Sequence, residues 1–500
     1  MRAVRFAVAA AVFSALLGVA PGVRAGGQVA DWTEHGFDLS NHAYNFRERT
    51  IRASTAARLK TKWTFPVNEM VPTTPAVAGG LVYFGTWEGV FYAVDAETGR
   101  KVWSFDARAL TGDETAWKNR GIGIRSGITV NAGRVYFGDT AGYLIVCDAK
   151  TGRLIWRKRL ESHPHVRITS AAKIVDGRIY IGVSSLEESA IRVDPQYNGY
   201  TFRGSVVSLN AETGDEIWRV YTVPSGAQIG TKEGGRPVFG PAGAAVWATP
   251  TIDPARRLLY IATGNAYSGP KHLLSRAEAV LALDLDTGRV RWELQARPGA
   301  DDLYTNERLN GEDEGPDLDF GQSPILFGGP SGNRWLACGQ KSGWMYLLDP
   351  QSGAKIWETK VGAGGGLGGL EFGSATDGDR IFGAIAAGEG NVAALDAKSG
   401  KILWQTWNVT GVNHAPVIIA GPKEDLVVFE GSNRGVLRAY DGKDGRIVWS
   451  YQFTKGTSIQ GGATVANGMV FVGAGYHSAL GGAQKGAGNE LRAFDLSDKK

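Results

Sequence analysis

The chain has few of the residues that mark several classes of protein. Only two cysteines, Cys147 and Cys338, occur in 500 residues, and no Cys-x-x-Cys-His motif is present. Two cysteines are too few for a cysteine-rich metal site, and covalent haem attachment needs that motif. We therefore expect no covalent haem, and we expect Cys147, at the end of the apolar run Tyr143–Cys147, to be a buried free thiol.

The sequence also lacks a strong charge of either sign. The formal net charge is +4, and no block of acidic or basic residues stands out. Nucleic-acid binding requires a concentrated basic surface, so that class of function is not expected. No run after the first 20 residues is long and apolar enough for a transmembrane helix, so the chain is not expected to span a membrane.

The N-terminus has the pattern of an export signal. Arg2 and Arg5 precede an apolar run over Phe6–Ala20, and Val23–Ala25 fits a cleavage site with small residues. The alternative is a membrane anchor, but the run is short for crossing a bilayer. We predict a signal peptide over residues 1–25 and a periplasmic mature protein.

Glycine is abundant, 70 of 500 residues, and it punctuates a repeat. Each copy has Asp or Asn, then a Thr-Gly, Ser-Gly or Asp-Gly pair three positions later, then Trp. Successive copies are separated by 45 residues (Asp396 to Asp441) to 74 residues (Asn210 to Asp284). A repeat of this length indicates a solenoid or the radial blades of a propeller. The copies run from Asp95 to Trp103, Asp148 to Trp156, Asn210 to Trp218, Asp284 to Trp292, Asp349 to Trp357, Asp396 to Trp404 and Asp441 to Trp449, with an incomplete eighth copy at Asp495.

Each repeat predicts four strands, which is one blade of a β-propeller. Alternating runs such as Ser205–Leu209 are typical of strands, and the Asp-x-x-Thr-Gly segment is typical of a tight turn. The eighth copy lacks its Trp strand, but Leu59–Phe65 supplies one near the N-terminus. We therefore predict an all-β, eight-bladed propeller over residues 26–500, closed by that N-terminal strand, with the repeat Trp side chains packed between blades.

This repeat resembles that of the quinoprotein alcohol dehydrogenases, which depend on pyrroloquinoline quinone (PQQ). The resemblance covers Asp31 to Asp495, and the segments Val183–Glu188 and Thr201–Val207 look most like the polyvinyl alcohol dehydrogenase branch. It implies a periplasmic enzyme that oxidises an alcohol, including a secondary or polymeric one, and passes electrons to a separate cytochrome c. The same propeller also serves as a non-catalytic scaffold for envelope protein assembly, so function depends on the site.

A quinone with three carboxylates needs a flat apolar surface and hydrogen-bond donors or cations. The resemblance implies that Trp247 stacks on the quinone and that Lys341 contacts it. It also implies that the quinone carboxylates are bound by Arg120, Thr169, Ser184 and Ser185. Arg125, five residues from Arg120, is an alternative to it.

The resemblance also implies a metal ion, which needs hard oxygen ligands. The matching positions are Glu187, Asn265, Asp317 and Asp319, with a register uncertain by one residue between Glu187 and Glu188. Asp317 is the expected base for the hydroxyl proton. Both calcium and a lanthanide remain open, although a second Asp two residues after the first resembles the lanthanide-using branch.

Two positions depart from the family pattern. The stretch Asp113–Arg120 has no vicinal Cys pair, which the family usually places above the quinone, and Gln460 stands where a Trp is common. Three hypotheses therefore remain: a PQQ-dependent dehydrogenase, an envelope scaffold, and a sugar- or polymer-binding propeller without redox activity.

Overall fold

The chain folds into eight blades of four antiparallel strands, one for each predicted repeat, and two of the eight sheets gain a fifth short strand. The computed structural model describes residues 30–110, 123–190, 194, 197–232, 235–296, 316–328, 333–388, 391–407, 411–475 and 488–496. The predicted signal peptide lies outside these ranges. Among the described residues, no helix is long and apolar enough to cross a membrane.

The first four blades, each given from the inner strand outwards, are as follows: β3 (Ala76–Ala78), β4 (Leu81–Gly85), β5 (Val90–Asp95) and β6 (Lys101–Asp106); β7 (Thr129–Asn131), β8 (Arg134–Gly138), β9 (Tyr143–Asp148) and β10 (Leu154–Arg159); β12 (Lys173–Val175), β13 (Arg178–Ser185), β14 (Ser205–Asn210) and β15 (Glu216–Tyr221); β19 (Thr251–Asp253), β20 (Leu258–Ala262), β22 (Ala279–Asp284) and β23 (Val290–Gln295).

The last four blades, in the same order, are as follows: β24 (Ile325–Gly328), β25 (Arg334–Gly339), β26 (Trp344–Leu348) and β27 (Lys355–Lys360); β28 (Ala375–Thr376), β29 (Arg380–Ile385), β30 (Asn391–Asp396) and β31 (Ile402–Gln405); β32 (Ile418–Ala420), β33 (Val427–Gly431), β34 (Val436–Asp441) and β35 (Ile447–Gln452); β36 (Ala463–Ala466), β37 (Met469–Ala474), β38 (Glu490–Asp495) and β2 (Lys60–Pro66).

Short elements lie in the connections. They are β1 (Tyr44–Asn45), β11 (Val166–Arg167), β16 (Ala227–Thr231), β17 (Pro237–Gly240), β18 (Ala242–Gly243), β21 (Ala266–Ser268), the helix Ala53–Ala56, and 3₁₀ turns at Ala107–Leu110, Glu187–Ser189, Lys271–Leu273 and Lys423–Asp425.

The burial of the strands follows from the face-to-face stacking of blades. Middle strands such as β26 have apolar side chains on both faces and are almost wholly buried, whereas outer strands such as β27 alternate between exposed and half-buried positions. A strand covered on both faces reads as a continuous apolar run. The first strands of successive blades contact one another around the centre of the ring.

The N-terminal strand closes the ring, as predicted. Strand β2 pairs antiparallel with β38, so the eighth sheet is built from both ends of the chain. The indole of Trp63 in β2 donates to Ala96 O of the first blade at 2.9 Å. This closure pairs the edge that an incomplete eighth sheet would leave open.

The repeat turn and the repeat Trp form one joint between neighbouring blades. Asp148 Oδ1 accepts hydrogen bonds from the Thr151 N–H and hydroxyl, each at 2.8 Å, and Gly152 has a φ of 71°. A Cβ on Gly152 would lie 2.5 Å from the Trp103 ring, whose Nε1 donates to Ala149 O at 3.0 Å. The glycine is therefore required by both backbone conformation and ring contact.

The segment Ala30–Asn45 crosses the centre of the ring and contacts all eight blades. Its contacts, from the first blade to the eighth, are Trp32 with Val77, Glu34 with Thr129, Glu34 with Lys173, Leu39 with Ile252, Ser40 with Leu326, His42 with Thr376, Tyr44 with Ile419, and Asn45 with Val465. The repeats do not predict this segment, because it is not part of any copy.

Candidate active site

The predicted site residues that the structure describes lie in loops or at a strand end, all at one end of the ring. In an antiparallel blade, the loop entering the inner strand and the loop joining the second and third strands are at the same end. The loops entering β12, β19 and β24 carry Thr169, Trp247, Asp317 and Asp319, and the loops after β13, β20 and β25 carry Glu187, Asn265 and Lys341. Ser184 and Ser185 are the last two residues of β13.

Lys341 joins the two aspartates. Its Nζ donates to Asp319 Oδ2 at 2.7 Å and to Asp317 Oδ2 and Oδ1 at 3.1 and 3.3 Å. A tight turn orients the side chain, because the N–H of Gly343 bonds to Gln340 O and Gly343 has a φ of 80°. Lys341 is buried, so this is a desolvated ion pair rather than a surface contact.

A third carboxylate lies in the same group, and the sequence analysis missed it. Glu278, Asp317 and Asp319 each offer an oxygen atom within 4.8 Å of the others. Glu278 is fully buried, and its Oε1 accepts the Leu318 N–H at 2.9 Å. The available signal was an acidic residue directly before the apolar strand β22, where an unpaired carboxylate is costly to bury.

The three carboxylates repel one another in this buried setting. Burial, and then the charge of Asp319, raise the pKa of Asp317 well above its usual value. Burial lowers the pKa of Lys341, but Asp319 and Asp317 outweigh it and raise that pKa well above the ordinary range. One ammonium does not balance three carboxylates, so the group favours a further cation or a bound proton.

Trp247 lies directly beside this carboxylate group. A Cβ on Gly264 would be 2.9 Å from Trp247 Nε1 and 3.4 Å from Asp319 Cγ, so the glycine occupies the gap between indole and carboxylate. Trp247 also lines a central cavity of about 130 Å³, together with Thr169, Arg125 and Gln460. The structure thus joins a flat aromatic surface, a guanidinium and an acidic group in one place.

The hydroxyl groups predicted to bind the quinone have different surroundings. Thr169 lines the cavity, donates to Trp247 O at 2.8 Å, and lies 3.2 Å from the Ser184 hydroxyl. Ser184 is buried and donates to Arg167 O at 2.7 Å, and Ser185 is buried and accepts the Glu187 N–H at 2.8 Å. Only Thr169 among these three hydroxyls lines the cavity, and the two serines hold the loop.

Glu187 does not point toward the carboxylate group as the metal prediction required. Its carboxylate accepts hydrogen bonds from the Tyr197 hydroxyl at 2.7 Å and from the N–H groups of Thr201 and Phe202 at 2.9 and 2.8 Å. Burial raises its pKa, but these bonds and His163, 3.2 Å away, outweigh burial and lower it. Both oxygens accept hydrogen bonds in this structure, and the metal role of Glu187 stays a prediction.

Glu188 is the neighbour whose charge acts on the site. It raises the pKa of both Asp317 and Lys341. The two glutamates belong to a 3₁₀ turn, Glu187–Ser189, in which successive side chains point about 120° apart. The two side chains therefore point in different directions, so a shift of one residue between Glu187 and Glu188 changes which carboxylate is predicted to face the aspartates.

Two further predicted residues complete the account. Asn265 follows Gly264, is almost fully buried, and donates from Nδ2 to Ala266 O at 3.0 Å. Arg120 lies outside the described residues, as does all of the stretch Asp113–Arg120 where the Cys pair is missing. Arg125, the alternative to Arg120, lines the cavity.

Comparison with known proteins identifies the family. Residues 32–363 match the domain described as "Glucose/ethanol/alcohol dehydrogenase, beta-propeller domain" of PQQ enzymes. The polyvinyl alcohol dehydrogenase of Sphingopyxis sp. (strain 113P3) is 30% identical over 94% of this chain and 76% of its own length. This chain belongs to the PQQ-dependent alcohol dehydrogenase family. The predicted family, fold and enzyme class are therefore confirmed.

The solved structures similar to this dehydrogenase share its fold. The quinohemoprotein alcohol dehydrogenase of Comamonas testosteroni has a TM-score of 0.71 at 20% identity, covering 95% of this chain and 82% of its own. A europium-containing methanol dehydrogenase has a TM-score of 0.70 at 17% identity, covering 93% of this chain and 98% of its own. Residues 341–498 also match the outer membrane protein assembly factor BamB.

Family membership implies PQQ and a metal ion, and the residues of this dehydrogenase fit both. Oδ1 of Asp319 is buried and accepts no hydrogen bond from any described residue, which leaves an oxygen available to a cation. Trp247, Arg125 and Thr169 offer an aromatic face, a positive charge and a hydroxyl to a flat anionic ring. The donor set is therefore consistent with both groups.

Proposed function

We propose that this dehydrogenase oxidises a secondary alcohol in the periplasm, with PQQ and a divalent or trivalent metal ion, and passes the electrons to a separate cytochrome c. The observation that carries the proposal is the buried carboxylate group of Glu278, Asp317 and Asp319, bridged by Lys341 and adjacent to Trp247. A structural propeller has no use for such an arrangement, because buried like charges destabilise the fold.

The proposal assigns the metal to Asp317 and Asp319, with Glu278, Glu188 and Asn265 as the neighbouring oxygen donors. The first two are the carboxylates in contact with the Lys341 ammonium. Hard cations such as calcium and lanthanides take six or more oxygen ligands, so side chains from several loops are needed. The choice between calcium and a lanthanide stays open in this proposal.

Asp317 is the proposed base. Its side chain is 21% exposed, against 5% for Asp319, so it is the aspartate that an alcohol can approach. When bound, PQQ would supply the hydride acceptor and the metal ion would supply a Lewis acid. Asp317 takes the hydroxyl proton onto its carboxylate.

Lys341 keeps the two aspartates in place during this proton transfer. Its ammonium donates hydrogen bonds to both carboxylates. Trp247 supplies the surface against which a planar ring stacks, and Arg125 with Thr169 can orient its carboxylates. These residues bind and orient, whereas Asp317 moves the proton.

The substrate and partner in this proposal have separate support. Two relatives named polyvinyl alcohol dehydrogenase, which are 30% identical, favour a secondary alcohol. The printed sequence has no Cys-x-x-Cys-His motif, so the electrons require a separate acceptor, for which a cytochrome c is proposed. The basic and apolar start of the chain supports export by a cleaved signal peptide.

A direct test adds PQQ with calcium, or with a light lanthanide, to purified chain and measures oxidation of secondary alcohols with an artificial electron acceptor. Alcohol-dependent dye reduction that is lost in Asp317→Asn, with quinone absorbance retained after dialysis, supports the proposal. Absence of both dye reduction and quinone retention with every metal tested overturns it.

A second candidate is an assembly scaffold, favoured by the match of residues 341–498 to BamB and by a BamB structure from Moraxella catarrhalis with a TM-score of 0.53. A scaffold would co-purify with envelope partners, and that association would be unchanged in Asp317→Asn and Lys341→Gln. Loss of association in those variants would count against it.

A further inference from the structure

A glycine-rich loop lies beside Asp317 at the end of the ring that carries the site. It joins β27 to β28, and six of the eight residues from 362 to 369 are glycine. Residues 363–367 are exposed, and 51% of the surface of Leu367 is accessible to solvent.

Three of these glycines are required by the fold. A Cβ on Gly369, which has a φ of 65°, would lie 2.2 Å from Lys341 O, and one on Gly364 would lie 2.8 Å from the same atom. A Cβ on Gly368 would lie 2.7 Å from the N of Gly365. The loop backbone packs so closely on Lys341 and on itself that no side chain fits at these positions.

Gly365 and Gly366 are different. Neither has a φ in the left-handed region, and a Cβ on Gly365 would meet no described atom within 4 Å. A Cβ on Gly366 would meet one described atom, Asp317 Oδ2, at 3.6 Å, which is an ordinary contact distance. The fold therefore accepts a side chain at both positions, and neither the backbone conformation nor a contact with a described atom requires glycine there.

Because Gly365 and Gly366 have no side chains, they leave space among the described residues beside the Asp317 carboxylate. A side chain on Gly366 would extend from a point 3.6 Å from Asp317 Oδ2 and narrow the approach to that oxygen. A terminal hydroxyl needs room for carbon on one side only. A hydroxyl within a chain needs room on both sides, and Leu367, the next residue of the loop, has an exposed apolar side chain.

We propose that Gly365, Gly366 and Leu367 determine the substrate class. They admit an alcohol whose hydroxyl lies inside an aliphatic chain, so that the carbon chain extends in both directions past Asp317. This inference rests on the proposed function, because it presumes that Asp317 receives the hydroxyl. The substrate class is a secondary alcohol, including the repeated 1,3-diol of a vinyl alcohol chain, whose methylene groups pack on Leu367.

The test compares Gly366→Val with a matched control, Gly328→Val, in the full chain loaded with PQQ and calcium. Gly328 is also exposed, lacks a left-handed φ and has no described atom within 4 Å of its Cβ position, but it lies at the end of β24. For Gly366→Val, we expect kcat/KM to fall at least about tenfold with pentane-2,4-diol and less than about threefold with ethanol. Gly328→Val should leave both values unchanged.

An equal loss with ethanol and the diol would overturn the inference, because it would mean that Asp317 itself is disturbed. No loss with the diol would also overturn it. Leu367→Ser should lower kcat/KM for the diol and leave kcat/KM for ethanol unchanged. This variant separates the effect of the apolar contact from the effect of the open space.

A binding measurement separates this inference from the proposed function. Titration calorimetry of a water-soluble vinyl alcohol oligomer should give tighter binding to the wild-type chain and to Gly328→Val than to Gly366→Val, whether or not PQQ is present. If no alcohol is oxidised but this order of binding holds, the proposed function fails and the inference stands. Equal oligomer binding by all three proteins, or no binding to the wild type, overturns the inference.

Discussion

Lys341 Nζ and Asp319 Oδ2 form a buried ion pair of 2.7 Å between two neighbouring loops of the fifth blade. The backbone repeats the contact, since the Lys341 N–H bonds to Asp319 O at 2.9 Å. The pair couples the loop that enters the blade to the loop between its second and third strands. Lys341 therefore contributes both to the stability of this end of the ring and to the charge of the site.

Removing the Lys341 ammonium should destabilise the fold. Lys341→Met leaves Asp317 and Asp319 buried without their cation, and breaking a buried pair costs about 3–5 kcal/mol. Chemical denaturation measures the free energy of unfolding. The control is Lys355→Met, because Lys355 forms an exposed pair with Glu358 at 2.6 Å, and exposed pairs contribute about 0–1 kcal/mol. Similar losses in both variants would contradict the buried-pair account.

Substitution of Asp317 should impair catalysis, whereas substitution of Asp319 should impair metal binding. Asp317→Asn is expected to lower kcat by about 10²–10⁴-fold, the usual contribution of a general base, while metal and quinone remain bound. Asp319→Asn should instead weaken metal binding, because it removes the buried oxygen that has no described partner. Metal content after dialysis and steady-state kinetics measure both. Loss of metal in Asp317→Asn and loss of kcat alone in Asp319→Asn would mean that the two roles are exchanged.

The joint between Trp103 and Gly152 should be sensitive to a single methyl group. Gly152→Ala places a Cβ 2.5 Å from the indole at a φ of 71°. We expect a loss of about 1–3 kcal/mol, typical of overpacking, measured by thermal or urea unfolding. Gly328→Ala, where no described atom is near, is the control. A stability loss no greater than that of the control would mean that the turn moves freely away from the ring.

His35 should make the fold less stable in acid. Burial, assisted by the charge of Lys173, lowers its pKa to about 4. The unfolded chain takes up this proton below its ordinary value near 6.5 and the folded chain does not, so stability falls as pH drops from 6.5 to 4, by up to about 3 kcal/mol.

The comparison of wild type with His35→Gln isolates this effect from the other titrating groups. The melting temperature is measured from pH 8 to pH 4 for both proteins. The difference between their stabilities should shrink or reverse in favour of His35→Gln as pH falls, because glutamine takes up no proton. A constant difference across this range would exclude His35 as an acid-sensitive group.

The sequence by itself determined the propeller, the number of blades and the ring closure. The turn at Asp148, Thr151 and Gly152 is made by contacts within five residues, and the same short pattern occurs in seven of the eight repeats. Such local interactions are readable from spacing alone. The residues of the site were predicted only through family resemblance, because they lie where the repeats differ.

The tertiary structure decided which side chains meet. Glu278 joins Asp317 and Asp319 across some 40 positions of chain, and Trp247 reaches Asp319 only through the gap at Gly264. The direction of a 3₁₀ turn turned Glu187 away, toward Tyr197 and backbone donors. These outcomes depend on how loops from separate blades pack at one end of the ring, and that packing leaves no periodic pattern in the sequence.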